Sequence, residues 1–320
     1  MNTQQGMTMS PLQQGGTSRR SAVLAGAAAA AGVAIGAGVA QAQGQAPIID
    51  PFIPVPVPTS TTVKEGQIQL PSGKVFVRDS GGSGPAIVLM HPATGSALIW
   101  AYQEPALAAA GYRVIAWSRR GHYGSDPVDK ANPGSYARDL DDLANALGLG
   151  AFNIVACAAG CTISMDYAMS FPARVRRVVI SAASLGNISE TEFVNATEGS
   201  RIKGFDDLPA DFRELSPSYR SANPAGAKAW VELEHKALAG NRQGPKLLNA
   251  FNWTTLGQMK TPTLLLYGGA DLAAPPTLGR MVARHLPNRE MVVVPEAGHS
   301  IYWEQPETFN RTVLDFLGKA

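Results

Sequence analysis

The sequence predicts an α/β fold, a doubly wound and mostly parallel sheet with an inserted helical cap. Three observations predict it. Short continuous apolar runs, such as Ala86-Ile87-Val88-Leu89-Met90, alternate with amphipathic helical patterns, and such runs suit strands buried on both faces of a parallel sheet. One run, Phe152 to Ala156, feeds directly into a cluster of small residues and then a helical pattern, which reads as strand, tight turn and helix. The alternation then stops between about Ala182 and Lys260, where the pattern turns helical and charged, and resumes at Thr263-Leu264-Leu265-Leu266-Tyr267.

The chain has 320 residues, 45% hydrophobic and 16% charged, enough for one large domain with an inserted sub-domain. Its first 17 residues are polar and aperiodic. Ser18-Arg19-Arg20-Ser21 then leads into an Ala/Gly-rich run that closes on Ala40-Gln41-Ala42. This pattern reads as an export signal over residues 1–42. The paired arginines resemble a twin-arginine signal, with Ala22-Val23 where Phe-Leu is usual. The resemblance implies the twin-arginine export machinery as a partner and a periplasmic or secreted location. Alanine and glycine contribute little transfer energy, so a cleaved signal is expected rather than stable membrane insertion. Beyond residue 42 the chain carries 25 basic and 25 acidic residues, which offers no electrostatic case for nucleic acid or anionic membrane. Residues 43–62 hold Pro47, Pro51, Pro54, Pro56 and Pro58, the composition of an extended, poorly packed lead-in.

From residue 63 the elements follow in order. Gln67 to Leu70 and Lys74 to Arg78 alternate polar and apolar about Pro71-Ser72-Gly73, which predicts a hairpin. After the strand at Ala86–Met90, a helix ends at Gly111 and Tyr112 to Trp117 forms the next strand. Tyr136 to Leu147 is an amphipathic helix stopped by Gly148, and Val175 to Ile180 is a strand after the small-residue turn. The core thus spans 63–181 and 261–320, and 182–260 forms the cap, expected to roof a pocket. In the cap, Asn223-Pro224 starts a helix whose face is Ala227, Trp230, Val231 and Leu238 and whose stop is Gly240.

The stretch Ala156-Cys157-Ala158-Ala159-Gly160 has the outline of a nucleophile elbow, in which the residues two places either side of the apex must be small. The apex is Ala158. Four further motifs fall in order at strand ends: His91-Pro92-Ala93-Thr94-Gly95-Ser96, Arg120-Gly121-His122-Tyr123-Gly124-Ser125, Gly268-Gly269-Ala270-Asp271 and Ala297-Gly298-His299. With these motifs, the stretch from about Val63 to Leu317 resembles the α/β-hydrolases of the lidded esterase and lactonase-like group. The resemblance implies His299 as general base, Asp271 as the carboxylate orienting it, and the backbone N–H groups of Ala93 and Ala159 as an oxyanion hole. Pro92 stands where glycine is usual and lacks an N–H, but the donor falls on Ala93. His91 and His122 are expected to buttress loops, and His235 and His285 read as ordinary helix residues. No cluster has metal-ligand spacing and no glycine loop has a phosphate-binding context, so no cofactor is expected.

Ala158 admits three readings: a serine replaced by alanine, a natural pseudo-hydrolase that binds without turnover, or an enzyme in which Cys157 takes over. Cys157 and Cys161 otherwise read as small buried packing residues. The resemblance implies a carboxylic ester or lactone cleaved through an acyl-enzyme, with a binding protein or a non-hydrolytic enzyme as alternatives. Trp100, Trp230, Phe251 and Trp253 are candidate lining for an apolar pocket that would favour a hydrophobic or aromatic substrate.

Overall fold

The computed structural model describes residues 52, 54–58, 63–238 and 244–319. The expected export signal with Arg19-Arg20, and the expected helix stop at Gly240, lie outside the described residues. The chain enters through the predicted hairpin, β1 (Lys64–Leu70) and β2 (Gly73–Asp79), paired antiparallel. Gly73 turns it with φ +130°, a conformation that a side chain would strain. There follow β3 (Ala86–Met90), α1 (Gln103–Ala109), β4 (Arg113–Trp117), α2 (Tyr136–Ala146), β5 (Phe152–Cys157), α3 (Ala159–Ser170) and β6 (Val175–Ser181). Among the described residues, five α-helices lie between β6 and the next strand: α4 (Thr191–Gly199), α5 (Ala210–Glu214), α6 (Pro217–Ala222), α7 (Pro224–Ala237) and α8 (Trp253–Gln258). The chain then completes β7 (Thr263–Gly268), α9 (Pro276–Ala283), β8 (Arg289–Val294), α10 (Ile301–Glu304) and α11 (Pro306–Leu317).

The eight strands form one sheet in the order β1-β2-β4-β3-β5-β6-β7-β8. β2 pairs antiparallel with both β1 and β4, and every pair from β4 to β8 is parallel. The chain steps from β3 outward to β4 and then back across to β5 on the other side of β3. Strand order therefore reverses at β3, and the crevice beyond the carboxyl ends of β3 and β5 is a topological switch point, where open α/β sheets bind ligands.

Alternation along the central strands feeds two cores. Ile154 and Ala156 of β5 pack with Leu140, Leu143, Met165, Tyr167, Leu278 and Val282 under α2, α3 and α9. Val155 and Cys157 face the other side, with Leu107, Phe309, Val313 and Phe316 of α1 and α11. In the segment after β6, the Asn223 side chain accepts from Gly226 N–H and Pro224 takes the first helical position of α7, as the dipeptide predicts. The end of α7 is tied to the core, with Tyr123 N–H donating to the Ala237 carbonyl at 2.8 Å. Buried Asp166 of α3 anchors the returning chain by accepting from the backbone N–H groups of Leu248 and Asn249.

The described part of the lead-in departs from the poorly packed arm expected of it. Phe52 is buried and meets Tyr219 edge-on at 6.0 Å, and the Tyr102 hydroxyl donates to the Val55 carbonyl at 2.8 Å. One aromatic ring removes enough apolar area from water to dock a proline-rich segment. His285 stands in the turn after α9 rather than within a helix, stacked on Trp253 at 4.0 Å.

Candidate active site

The turn between β5 and α3 stands at the switch point. Ala158 holds φ +49° and ψ −115°, a conformation rare for a residue with a side chain, so its methyl projects from a strained apex. Its N–H donates to Ser181 O at 2.9 Å, which ties the apex to the end of β6. A Cβ at position 160 would lie 2.3 Å from the Met90 carbonyl oxygen, so only glycine lets α3 pass that close to β3. Ala159 is the first residue of α3, and a helix leaves its first N–H groups without internal partners.

The loops after β7 and β8 bring Asp271 and His299 together. His299 Nδ1 lies 2.9 Å and 3.1 Å from the two Asp271 carboxylate oxygens. Asp271 Oδ1 also accepts from Ala273 and Ala274 N–H, both at 2.8 Å, which fixes the carboxylate. Burial pulls the His299 imidazole down, but the Asp271 charge and hydrogen bond, with the Glu214 charge, outweigh it and push the pKa up to about 9. Gly298 sits where a side chain would meet Ser216 N at 2.6 Å, and its own N–H donates to the buried Glu304 carboxylate. Glu304 also accepts from Ser216 N–H at 3.0 Å, and burial pushes its pKa up to about 7.

The loop after β3 carries Ala93. Buried Arg119 donates to both the His91 and Pro92 carbonyls and fixes the loop from below. His91 Nε2 accepts from Arg119 N–H at 3.1 Å, and the His91 and His122 rings meet edge-on at 4.6 Å. Burial beside Arg119 holds both imidazoles neutral, His91 well below its usual pKa and His122 at about 3. Arg120 pairs with Asp139 at 2.8 Å, and the Ser125 hydroxyl donates to Ser118 O while accepting from Phe76 N–H, so the turn after β4 is locked as well.

These parts open on one cavity of about 870 Å³, whose lining includes Ala93, Ala158, Ala159 and His299. The segment after β6 supplies much of the wall, including Arg201, Asp206, Arg213 and Glu214. Of the four aromatic residues expected there, the wall takes Phe251. Trp100 and Trp230 are buried in the core against Tyr302, and Trp253 stacks on His285 and Phe193, where packing claims their area. Arginine, acid and amide groups, with Lys246 among them, make the wall polar where an apolar one was expected.

Neither cysteine is placed to attack. The Cys157 thiol points into the α1–α11 core and donates to the His299 carbonyl at 3.8 Å, and the Cys161 thiol donates to Ser181 O at 3.3 Å. Burial drives both thiols up, away from the reactive thiolate. Among the described residues no three His, Cys, Asp or Glu side chains are grouped to hold a metal. Sequence reasoning missed Glu214, Arg201, Arg119 and Glu304. Each sits outside the spaced motifs, and only the fold brings it to the site.

A model of the alpha/beta hydrolase family matches residues 87–312. The chain is 30% identical to 2-hydroxy-6-oxononadienedioate/2-hydroxy-6-oxononatrienedioate hydrolase of Paraburkholderia xenovorans over 79% of this chain and 92% of that protein. It is 29% identical to hydrolase 1 of the same name from Dechloromonas aromatica over 80% and 93%. Solved structures with the same fold include an esterase from Thermogutta terrifontis, TM-score 0.64 at 22% identity, covering 79% of this chain and 98% of that one. The enol-lactonase of Burkholderia xenovorans also has a TM-score of 0.64, at 24% identity over 79% and 100%. From residue 87 to residue 312, this chain belongs to the alpha/beta hydrolase family.

Proposed function

We propose that this protein is the frame of a small-molecule hydrolase that cleaves a carboxylic ester or lactone through a Ser-His-Asp acyl-enzyme route, with Ala158 standing in the nucleophile's place. The observation that carries this reading is the strained apex of Ala158, kept at φ +49° in the cavity that His299 also lines, with the His299 ring 2.9 Å from the Asp271 carboxylate. With serine at the apex, His299 would take the hydroxyl proton as the oxygen attacks the carbonyl carbon. Ala93 and Ala159 N–H would receive the oxyanion, and the imidazolium would protonate the leaving oxygen. In the chain as it stands that attack has no oxygen, and turnover through the acyl-enzyme is lower by about 10⁶.

The polar wall supports a substrate that carries a carboxylate. Arg201 and Lys246 line the cavity, and Arg201 Nε is buried with no partner among the described residues. The relatives' substrate is by name a dioate, with two carboxylates.

The test is Ala158→Ser, assayed on aryl esters, lactones and oxo-dicarboxylates with and without a serine-reactive phosphonate. We expect hydrolysis that the phosphonate abolishes. A folded variant that is inert on all of them and takes no label would hand the cavity to the binding-protein reading. Export over residues 1–42 belongs to the same proposal. Replacing Arg19-Arg20 with two lysines should keep the precursor in the cytoplasmic fraction, and unchanged processing would overturn that part.

A further inference from the structure

Glu214 is a buried carboxyl group at the end of α5 that no motif contains. It lines the same cavity as Ala93, Ala158 and His299. Thr94, the residue after Ala93, donates its hydroxyl to Glu214 Oε2 at 2.9 Å. The Glu214 backbone carbonyl accepts from His299 N–H at 2.8 Å and Ser300 N–H at 3.1 Å. The carboxyl group and the imidazole are therefore held to each other through the main chain, in a cavity where the expected nucleophile is a methyl group. Such a site has an acid and a base without an attacking side chain.

We propose that Glu214 and His299 form a second acid–base pair, through which this chain, with Ala158 at the apex, hydrolyses its substrate by direct attack of water. This rests on the hydrolase reading of the cavity. Glu214 takes a proton from a water molecule as the water oxygen bonds to the carbonyl carbon, and the carbonyl π pair moves to oxygen, facing Ala93 and Ala159 N–H. As the intermediate collapses, the bond to the leaving oxygen breaks and the His299 imidazolium protonates that oxygen. Proton transfer from Glu214 to His299 through solvent restores the start, so ester and water become acid and alcohol with no covalent enzyme species.

The charges fit these roles. Burial raises the Glu214 carboxyl above the usual range, and the His299 charge, the Thr94 hydroxyl and Arg213 hold it back from rising further. Asp271 and Glu214 keep His299 protonated to about pH 9, against burial and the Arg201 charge. Asp206, Lys246, Arg201, Arg213 and Tyr136 line the same cavity.

The two routes demand opposite states of His299, which gives the test. Turnover by the unaltered chain needs imidazolium, so it should fall above about pH 9, with an acid limb set by Glu214. The serine route needs neutral imidazole, so Ala158→Ser should rise with pH toward that value. Glu214→Gln should cut turnover of the unaltered chain about 100-fold and remove its acid limb. Thr94→Val, a milder change, should shift that limb to higher pH because the carboxylate loses a donor. The proposal is overturned by an unaltered chain inert on a substrate that Ala158→Ser cleaves, or by an acid limb indifferent to both variants. If Ala158→Ser is itself inert, the hydrolase reading fails, and the pair is decided by an NMR titration of His299. A pKa lowered by Glu214→Gln supports the pairing and an unmoved one overturns it.

Discussion

Ala158 keeps a backbone conformation that costs about 1–3 kcal/mol and is found where surrounding structure over-determines a residue. Its surroundings do so here through Ser181 on one side and the contact of Gly160 with β3 on the other. Gly160 is the more sensitive partner, because a methyl group there meets the backbone carbonyls of Met90 and His91, which cannot rotate away. Gly160→Ala should lower stability by about 3 kcal/mol, read as a reduced urea midpoint at unchanged slope. It should also abolish phosphonate labelling when combined with Ala158→Ser. A stable, labelled double variant would mean that the turn has another way past β3.

The loop from Gly298 to the start of α10 is built around one carboxylate. Glu304 takes the N–H groups of Gly298 and Ser216, so it joins the residue before His299 to the segment that supplies Glu214. Glu304→Ala leaves two buried donors without an acceptor, at about 1–3 kcal/mol each. We expect a loss of about 3 kcal/mol in denaturant unfolding and a lower rate in the Ala158→Ser background. Glu304→Gln, which keeps one acceptor oxygen, should lose less in both. Equal losses for the two substitutions would show that charge, not hydrogen bonding, holds the loop.

Across the whole molecule, His299 and Glu304 make stability fall as pH rises, while His91 and His122, whose pKa values burial lowers, oppose that fall only below about pH 6.5. The His299 pKa is raised from 6.5 to about 9, so its contribution is complete below pH 6.5 and is lost as pH rises through about 9. The Glu304 pKa is raised from 4.5 to about 7, so its protonated form is favoured by the fold and that advantage is lost as pH rises through about 7. Both slopes have the same sign. The Tm should fall by several degrees between pH 6.5 and about 9, and His299→Gln should flatten the upper part of that fall. A Tm that climbs over this range would contradict the assigned protonation states.

The sequence by itself determined the sheet and the order of its elements, and it singled out Ala158, Asp271 and His299, which stand after β5, β7 and β8. Periodicity is local, and Ala156, Gly160, Asp271 and His299 sit in motifs whose spacing is read along one strand end at a time. The same local signal marked Asn223-Pro224 as a helix start and the two cysteines as packing residues. It could not decide what faces the cavity, because a buried aromatic looks alike in a core and in a wall. The tertiary structure sent Trp100, Trp230 and Trp253 into packing and kept Phe251 at the wall. It also brought in Glu214, 85 residues before His299 in the chain, by main-chain hydrogen bonds between the end of α5 and the loop after β8. No local pattern records such a contact: which charges share a cavity follows from how distant loops meet at the switch point of the sheet.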